Sequence, residues 1–115
     1  MLSENRPWGT FEVVKDEPYF KSKIITINSH QQISYQSHEK REEHWIIICG
    51  EGIVILNDKE IIVNPGSYIH IPLGAKHRIK NTKTEILQFV EVQLGTYFGE
   101  DDIIRYLDDY SRTSN

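Results

Sequence analysis

The sequence has a single cysteine, Cys49, and therefore cannot form a disulfide bond within the chain. No apolar stretch approaches the roughly 20 residues of a membrane-spanning helix, and residues 1–6 lack the apolar core of a signal peptide. Basic residues form no block, and the net charge of −4 argues against nucleic-acid binding. These absences predict a cytoplasmic protein that binds neither membranes nor nucleic acids.

What is present is the composition of an ordinary globular domain. The 115 residues can bury a substantial core, and 38% of them are hydrophobic. No repeat, linker or low-complexity segment divides the chain, so we expect a single domain over residues 1–115 with its core at roughly 6–112. Cys49 ends the apolar run 45–49, which predicts a buried and unreactive thiol.

Short β-rich segments follow one another along most of the chain, separated by turn sequences that contain Pro or Gly. The predicted strands cover residues 11–15, 20–28, 33–38, 43–49, 53–56, 61–63, 67–71, 77–80 and 85–93. This pattern predicts an all-β sandwich or barrel. Residues 100–110 differ, because Ile103, Ile104 and Leu107 form a small apolar stripe preceded by acidic residues, which predicts a short C-terminal helical tail.

Four side chains that can bind a divalent cation occur at suggestive spacing. Gln36 and His38 are two residues apart and would point to the same face of a strand. The charged run 39–42 is typical of a solvated turn, after which Glu43 would lie opposite His38. His77 follows a Pro-x-Gly turn in a later stretch. Two imidazoles, a carboxylate and an amide oxygen are a borderline-to-hard ligand set for a divalent metal.

Each of these residues also has an ordinary explanation when it is considered alone. A lone histidine such as His77 is more often a half-buried side chain than a ligand. Glu43 closes a charged cluster, where a surface carboxylate is common, and Gln36 alone carries no information. Only their joint spacing favours a metal site.

That spacing resembles the two cupin motifs. The second motif, G-x5-P-x-G-x2-H-x3-N, is matched at every specified position by Gly66, Pro72, Gly74, His77 and Asn81. The first motif, G-x5-H-x-H-x4-E-x6-G, is matched in its later positions by His38, Glu43 and Gly50. Gln36 replaces its first histidine, and His30 replaces its first glycine. The second motif is therefore intact and the first is altered.

The altered motif, Gln-x-His-x-x-Arg-x-Glu-His-Trp, resembles the cupin domain of type II phosphomannose isomerases. Those domains form the C-terminal part of bifunctional mannose-1-phosphate guanylyltransferase/mannose-6-phosphate isomerases. The resemblance continues at residues 6–9, at 77–81 and at 91–105, which include the run Gly-Glu-Asp-Asp-Ile-x-Arg. It implies a cupin fold, that is, a double-stranded β-helix or jelly-roll barrel.

The resemblance implies a mannose-6-phosphate isomerase, which would interconvert mannose 6-phosphate and fructose 6-phosphate in carbohydrate metabolism, in the GDP-mannose pathway of polysaccharide biosynthesis. Such a reaction requires a polarised carbonyl, proton transfer between C1 and C2, and a grip on the phosphate of the phosphorylated hexose. One divalent metal ion (Zn, Mn, Co, Ni or Fe) with open coordination positions would act as the Lewis acid. The implied metal ligands are Gln36, His38, Glu43 and His77.

The acid–base and phosphate-binding groups are predicted from their positions. Glu91 lies on a strand that should line the barrel, where it is either the acid–base group or a partner in a structural salt bridge. Arg41, Lys23 and Arg105 are candidates for binding the sugar phosphate, although each alone is more often a solvated surface charge. Arg105 has the best claim, because it belongs to the Gly-Glu-Asp-Asp-Ile-x-Arg run. Arg78 follows His77 and should point outward, into a dimer contact.

The guanylyltransferase part of the bifunctional family has no counterpart in this sequence, which also lacks a Gly-rich nucleotide-binding loop. We expect the isomerase part alone, working alongside a separate sugar nucleotidyltransferase. Two other classes remain open: a non-catalytic sugar-binding or regulatory cupin, and a cupin dioxygenase, whose usual set of three histidines and one glutamate is incomplete here. We also expect a homodimer, in which residues 8–15 add to the sheet of a partner.

Overall fold

The computed structural model describes residues 2–110, which fold into two antiparallel β-sheets. The strands, in chain order, are β1 (Leu2–Arg6), β2 (Gly9–Glu17), β3 (Phe20–Ile27), β4 (Tyr35–Ser37), β5 (Arg41–Cys49), β6 (Gly52–Leu56), β7 (Lys59–Val63), β8 (Tyr68–Ile71), β9 (His77–Asn81), β10 (Leu87–Gly95) and β11 (Ile104–Leu107). One sheet has the order β1-β2-β3-β10-β5-β8, and the other has the order β11-β4-β9-β6-β7. The predicted all-β fold is confirmed.

The hydrophobic core is built by alternation along the strands of both sheets. In β5, for example, Trp45 and Ile47 are buried whereas Ile46 and Ile48 are exposed, as expected when successive side chains point to opposite faces. The buried apolar cluster comprises Trp8, Phe11, Ile25, Ile27, Ile33, Trp45, Ile47, Val54, Val63, Ile69, Ile71, Ala75, Ile79, Leu87 and Phe89. These side chains hold the two sheets together through burial of apolar area.

The inner face of the larger sheet changes from apolar to polar along its central strands. The inward residues of β5 run from Arg41 and Glu43 to Trp45 and then Ile47. On the neighbouring strands, Glu91 of β10 is in register with Trp45 on one side and with Lys23 of β3 on the other. The fold therefore places ionisable side chains inside one end of the molecule, where unpaired charges would be costly.

The predicted C-terminal helix is wrong. Ile104–Leu107 forms β11, whose Ile104 and Arg105 pair with Ser37 and Gln36 of β4. Without β11, β4 would be an edge strand, so pairing satisfies backbone groups that a helix would leave exposed. No helix within residues 2–110 has the length and apolar character needed to span a bilayer.

Two other expectations also require correction. Cys49 is exposed rather than buried, because it ends β5 just beyond a break in the β5–β10 register, where the alternation that buries Trp45 and Ile47 no longer holds. Residues 8–15 do not offer a free strand edge, since β2 pairs with β1 on one side and with β3 on the other within the same chain. The edge strand at this end of the sheet is β1, which the sequence patterns did not reveal. Residues 111 and 112 of the predicted core lie outside the described residues.

Candidate metal centre

His38, Glu43 and His77 converge on one point inside the molecule. The Nε2 atom of His38 lies 3.3 Å from Oε2 of Glu43, and the Nε2 atom of His77 lies 3.7 Å from Oε1 of the same carboxylate. One ligand atom from each residue lies within 4.8 Å of the others. Two ligand atoms that are each about 2.1 Å from a cation lie roughly 3–3.4 Å apart, so these three residues could hold a metal ion.

The other nitrogen of each imidazole is held by a backbone carbonyl. Nδ1 of His38 lies 2.6 Å from the oxygen of Asp102, and Nδ1 of His77 lies 2.9 Å from the oxygen of Ala75. A carbonyl oxygen can only accept a hydrogen bond, so each Nδ1 carries the proton and each Nε2 keeps its lone pair for the centre. Such outer partners fix the ring orientation of metal-binding histidines.

Burial and charge set the protonation states of the three side chains. Burial lowers the pKa of His38 and lowers that of His77 to about 4, which keeps both rings neutral. Burial would raise the pKa of Glu43, but the guanidinium of Arg41, which donates to its carboxylate at 2.9 Å, holds it well below the usual range. Two neutral imidazoles and an ionised carboxylate are the forms that bind a cation.

Gln36, the fourth predicted ligand, lies beside these three residues. It is in register with His77 across the β4–β9 pairing and lines the same cavity. Its Nε2 atom donates hydrogen bonds to the backbone oxygen and the hydroxyl of Ser34, at 3.2 and 3.1 Å. The amide oxygen is consequently the atom that would face a cation.

A second buried carboxyl group lies next to Glu43. The indole Nε1 of Trp45 donates to Oε1 of Glu43 and to Oε2 of Glu91, both at 3.1 Å. Gln93 donates to the other oxygen of Glu91 at 2.6 Å. Burial raises the pKa of Glu91, and the negative charge of Glu43 raises it further, because two close carboxylates resist ionising together.

Two of the predicted phosphate-binding cations are buried and are paired with carboxylates. The Nζ atom of Lys23 lies 2.7 Å from Glu100 and 4.3 Å above the ring of Phe11. Nε of Arg41 donates to Glu43 at 2.9 Å, and its Nη1 lies 3.9 Å from Glu100. Glu100, which lies in the segment before β11, is therefore paired with both cations. Burial alone would raise the pKa of Glu100, but Lys23 and Arg41 hold it below its usual value.

All eight predicted site residues line a single cavity of about 580 Å³, part of which is open to solvent. They are Lys23, Gln36, His38, Arg41, Glu43, His77, Glu91 and Arg105. Arg78 points away from the cavity, as expected, but the predicted dimer contact is wrong for its side chain. Its Nε donates to the backbone oxygen of Ile33 at 3.0 Å, and the residue is buried within its own chain.

The sequence patterns did not assign three other residues to the site. Arg6 and Glu100 line the cavity. Both belong to stretches that resemble the isomerase domain, but the sequence patterns gave neither residue a role. Asp102 carries the carbonyl that holds His38, and its carboxylate accepts hydrogen bonds from the backbone of Glu39 and Lys40, at 3.1 and 3.0 Å. The acidic run thus fixes the turn between two predicted ligands, which its composition alone did not indicate.

A family model described as mannose-6-phosphate isomerase C-terminal matches residues 2–109. The chain belongs to this family. The resemblance drawn from the motifs is thereby confirmed.

Relatives with established names support the same family. The chain is 40% identical over 108 residues to the xanthan biosynthesis protein XanB of Xanthomonas campestris pv. campestris (strain B100). It is 41% identical over 107 residues to a mannose-1-phosphate guanylyltransferase of Klebsiella pneumoniae, and 38% identical over 109 residues to the alginate biosynthesis protein AlgA of Pseudomonas aeruginosa. These matches cover 94%, 93% and 95% of this chain. The chain spans only 23% of the length of each relative.

Solved structures confirm the fold. The cupin domain of Schizosaccharomyces pombe Cnp3 has a TM-score of 0.71 at 17% identity, over 75% of this chain and 64% of that one. The capsular polysaccharide assembling protein CapF from Staphylococcus aureus has a TM-score of 0.78 at 18% identity, over 93% of this chain and 32% of that one. The cupin architecture predicted from the two motifs is therefore confirmed.

Proposed function

We propose that this chain is a metal-dependent aldose–ketose isomerase that interconverts mannose 6-phosphate and fructose 6-phosphate. The observation that carries the proposal is the convergence of His38, Glu43 and His77 in a cavity that also holds a second buried carboxyl group and buried cations. Family membership supports the substrate class.

Four side chains would hold the cation: Gln36, His38, Glu43 and His77. A divalent ion bound there would polarise adjacent sugar oxygens and stabilise the negative charge of an enediolate. The candidate ions are zinc, manganese, cobalt, nickel and iron. The protein's own contribution is a buried site in which the carboxylate is ionised and both imidazoles are neutral.

Glu91 is the proposed acid–base group, on the basis of its position. It lines the cavity beside Glu43, and its carboxyl oxygens are oriented by Trp45 and Gln93. In the proposed reaction, the ionised form of Glu91 removes the proton from C2 of mannose 6-phosphate, exchanges it with solvent and delivers a proton to C1, while the proton of the C2 hydroxyl moves to O1. The enediol formed between the two transfers becomes the ketose.

The phosphate would bind to Lys23, Arg41 and Arg105, all of which line the cavity. Guanidinium and ammonium groups are the natural partners of a phosphate dianion. Glu100 occupies two of these cations through its contacts with Lys23 and Arg41. Binding therefore requires the Glu100 side chain to turn away, which gives the segment before β11 a role in admitting substrate.

The same contacts favour a second candidate, a non-catalytic sugar-binding cupin. Arg41 already donates to the predicted metal ligand Glu43, and Lys23 is already paired with Glu100. A protein that binds sugar without turnover could keep these pairs intact. The two candidates differ in whether a carbon-bound proton moves.

Deuterium exchange tests this difference. The manganese-loaded protein is incubated with mannose 6-phosphate in D2O, and the C1 and C2 protons are followed by NMR. We expect deuterium at C1 of the ketose product, and loss of exchange in Glu91→Gln with metal content unchanged. Binding of mannose 6-phosphate without any exchange would favour the binding protein.

The pathway and the partner that we propose for this chain are based on the named relatives. We propose a cytoplasmic enzyme of polysaccharide biosynthesis that works as a homodimer and alongside a separate sugar nucleotidyltransferase. Support comes from the mannose-1-phosphate guanylyltransferase and the XanB and AlgA proteins, whose matched region corresponds to this chain. Co-purification of such an enzyme with the tagged full chain would test the partnership.

A further inference from the structure

A second group of metal-binding side chains lies on the outer face of the larger sheet. Glu42 and His44 are two residues apart on β5 and therefore point to the same face, opposite to Glu43. His70 of the edge strand β8 is directly in register with His44. His44 lies within the altered first motif, but neither motif gives any of the three residues a role in metal binding.

The three side chains meet at one carboxylate oxygen. Nε2 of His44 lies 2.7 Å from Oε1 of Glu42, and Nε2 of His70 lies 3.1 Å from the same oxygen. The two imidazole rings are stacked, with centroids 4.7 Å apart and planes inclined by 15°. One ligand atom from each residue lies within 4.8 Å of the others, as in the buried centre.

The surroundings hold this group in place and leave it open to solvent. The Nδ1 atom of His44 lies 2.6 Å from the hydroxyl of Tyr68, which fixes the ring with Nε2 directed at Glu42. The His70 side chain is 45% exposed, so an ion could enter directly from water. On the other side of β5, the register neighbours of Glu42 and His44 are the uncharged Leu94 and Val92.

We propose that Glu42, His44 and His70 form a second site, on the surface, for a divalent transition metal ion such as zinc. Two imidazoles and one carboxylate are an established zinc ligand set, and exposure lets water complete the coordination. The two sites would occupy opposite faces of one strand. Because His70 lies on β8, a bound ion would also link that edge strand to β5.

Zinc stoichiometry tests the proposal. The full chain is loaded with zinc, freed of excess by gel filtration and analysed for metal per chain. We expect two zinc ions in the unmodified protein, one in His70→Ala, one in His77→Ala and none in the double variant. Glu42→Gln should weaken zinc binding at the surface site at least ~10-fold in a calorimetric titration. His30→Asn, a control that suits the positive φ of 58° at that position, should keep two.

Thermal denaturation supplies a second measurement. In the His77→Ala background, zinc should still raise the melting temperature, and adding His70→Ala should remove that shift. One zinc ion per chain in the unmodified protein, lost in His77→Ala and retained in His70→Ala, would overturn the proposal. The three side chains would then be a hydrogen-bonded group only.

Discussion

Each histidine of the buried centre depends on a backbone oxygen as much as on its own position. The carbonyls of Asp102 and Ala75 accept the Nδ1 protons of His38 and His77, and this leaves both Nε2 atoms directed at Glu43. The spacing of the second cupin motif sufficed to predict His77. It could not predict the Asp102 contact, because Asp102 lies 64 positions from His38 and approaches it only through the β4–β11 pairing.

The first prediction concerns His77. His77→Ala should abolish binding of metal at the cavity and abolish isomerase activity, since the centre loses one of its two nitrogen ligands. Elemental analysis of protein loaded with one equivalent of manganese, together with circular dichroism, will measure metal content and strand content. Strand content should stay largely intact, and His30→Asn should behave as the unmodified protein. Unchanged manganese occupancy when His77→Ala is added to a His70→Ala background, in which the proposed surface site is removed, would show that the ligand assignment is wrong.

Arg105 gives a prediction that separates substrate binding from metal binding. Arg105→Ala should lower kcat/KM at least ~10-fold, the effect of losing ~1.4 kcal/mol of transition-state stabilisation. Metal content should not change, because arginine is not a ligand in the proposed centre. Arg105→Lys should restore little if the phosphate contact is bidentate.

The control for this experiment is Lys59→Ala, which removes an exposed cation from β7, outside the cavity. It should leave kcat/KM within about two-fold of the unmodified value. Equal losses in Lys59→Ala and Arg105→Ala would argue for a general effect of net charge. The phosphate role of Arg105 would then be abandoned.

At the scale of elements, the predictability of the strands differs along the chain. Segments rich in β-branched, aromatic and other apolar residues and bounded by turn sequences, such as β5 and β10, were predicted from local composition. The 104–107 segment was predicted as a helix because the three apolar residues at positions 103, 104 and 107 are compatible with the period of a helix as well as with that of a strand. What decides its structure is the otherwise open edge of β4, a feature of the assembled sheet that no local pattern contains.

Two motif glycines provide a matched test of how the turns constrain the strands. Gly50 has φ +83°, and an added Cβ would lie 2.3 Å from the backbone oxygen of Ile86. Gly66 has φ +93°, but an added Cβ would meet no atom within 4 Å. Gly66→Ala should therefore lower the free energy of unfolding by about 1 kcal/mol, because a residue with a Cβ is strained in the left-handed conformation. Gly50→Ala should lower it by roughly 3 kcal/mol or more, because the backbone must also shift. Urea unfolding measures both free energies, and equal losses would contradict the close approach at Ile86.

At the scale of the whole molecule, each sheet formed by residues 2–110 ends in strands that have no neighbour on one side among these residues. The larger sheet ends at β1 and β8, and the smaller sheet ends at β11 and β7. Open edges and outward apolar residues such as Ile46 and Ile48 favour association with a second copy. The sequence predicted such association but assigned it to a segment that already pairs inside the chain.

We accordingly expect sedimentation equilibrium at micromolar concentration to give twice the 13.5 kDa chain mass. A single species of 13.5 kDa would rule out the homodimer. The proposed metal centre does not depend on this result, because its three convergent candidate ligands come from one chain.

The central claim is that the cavity of this chain alone performs the isomerisation. The most direct measurement is the formation of fructose 6-phosphate from mannose 6-phosphate by the purified protein, without nucleotide, after loading in turn with manganese, cobalt, zinc, nickel and iron(II). The account predicts turnover with at least one of these ions, and its loss in His77→Ala and Glu91→Gln. No fructose 6-phosphate with any of the five ions, from protein shown to contain the metal, would contradict it.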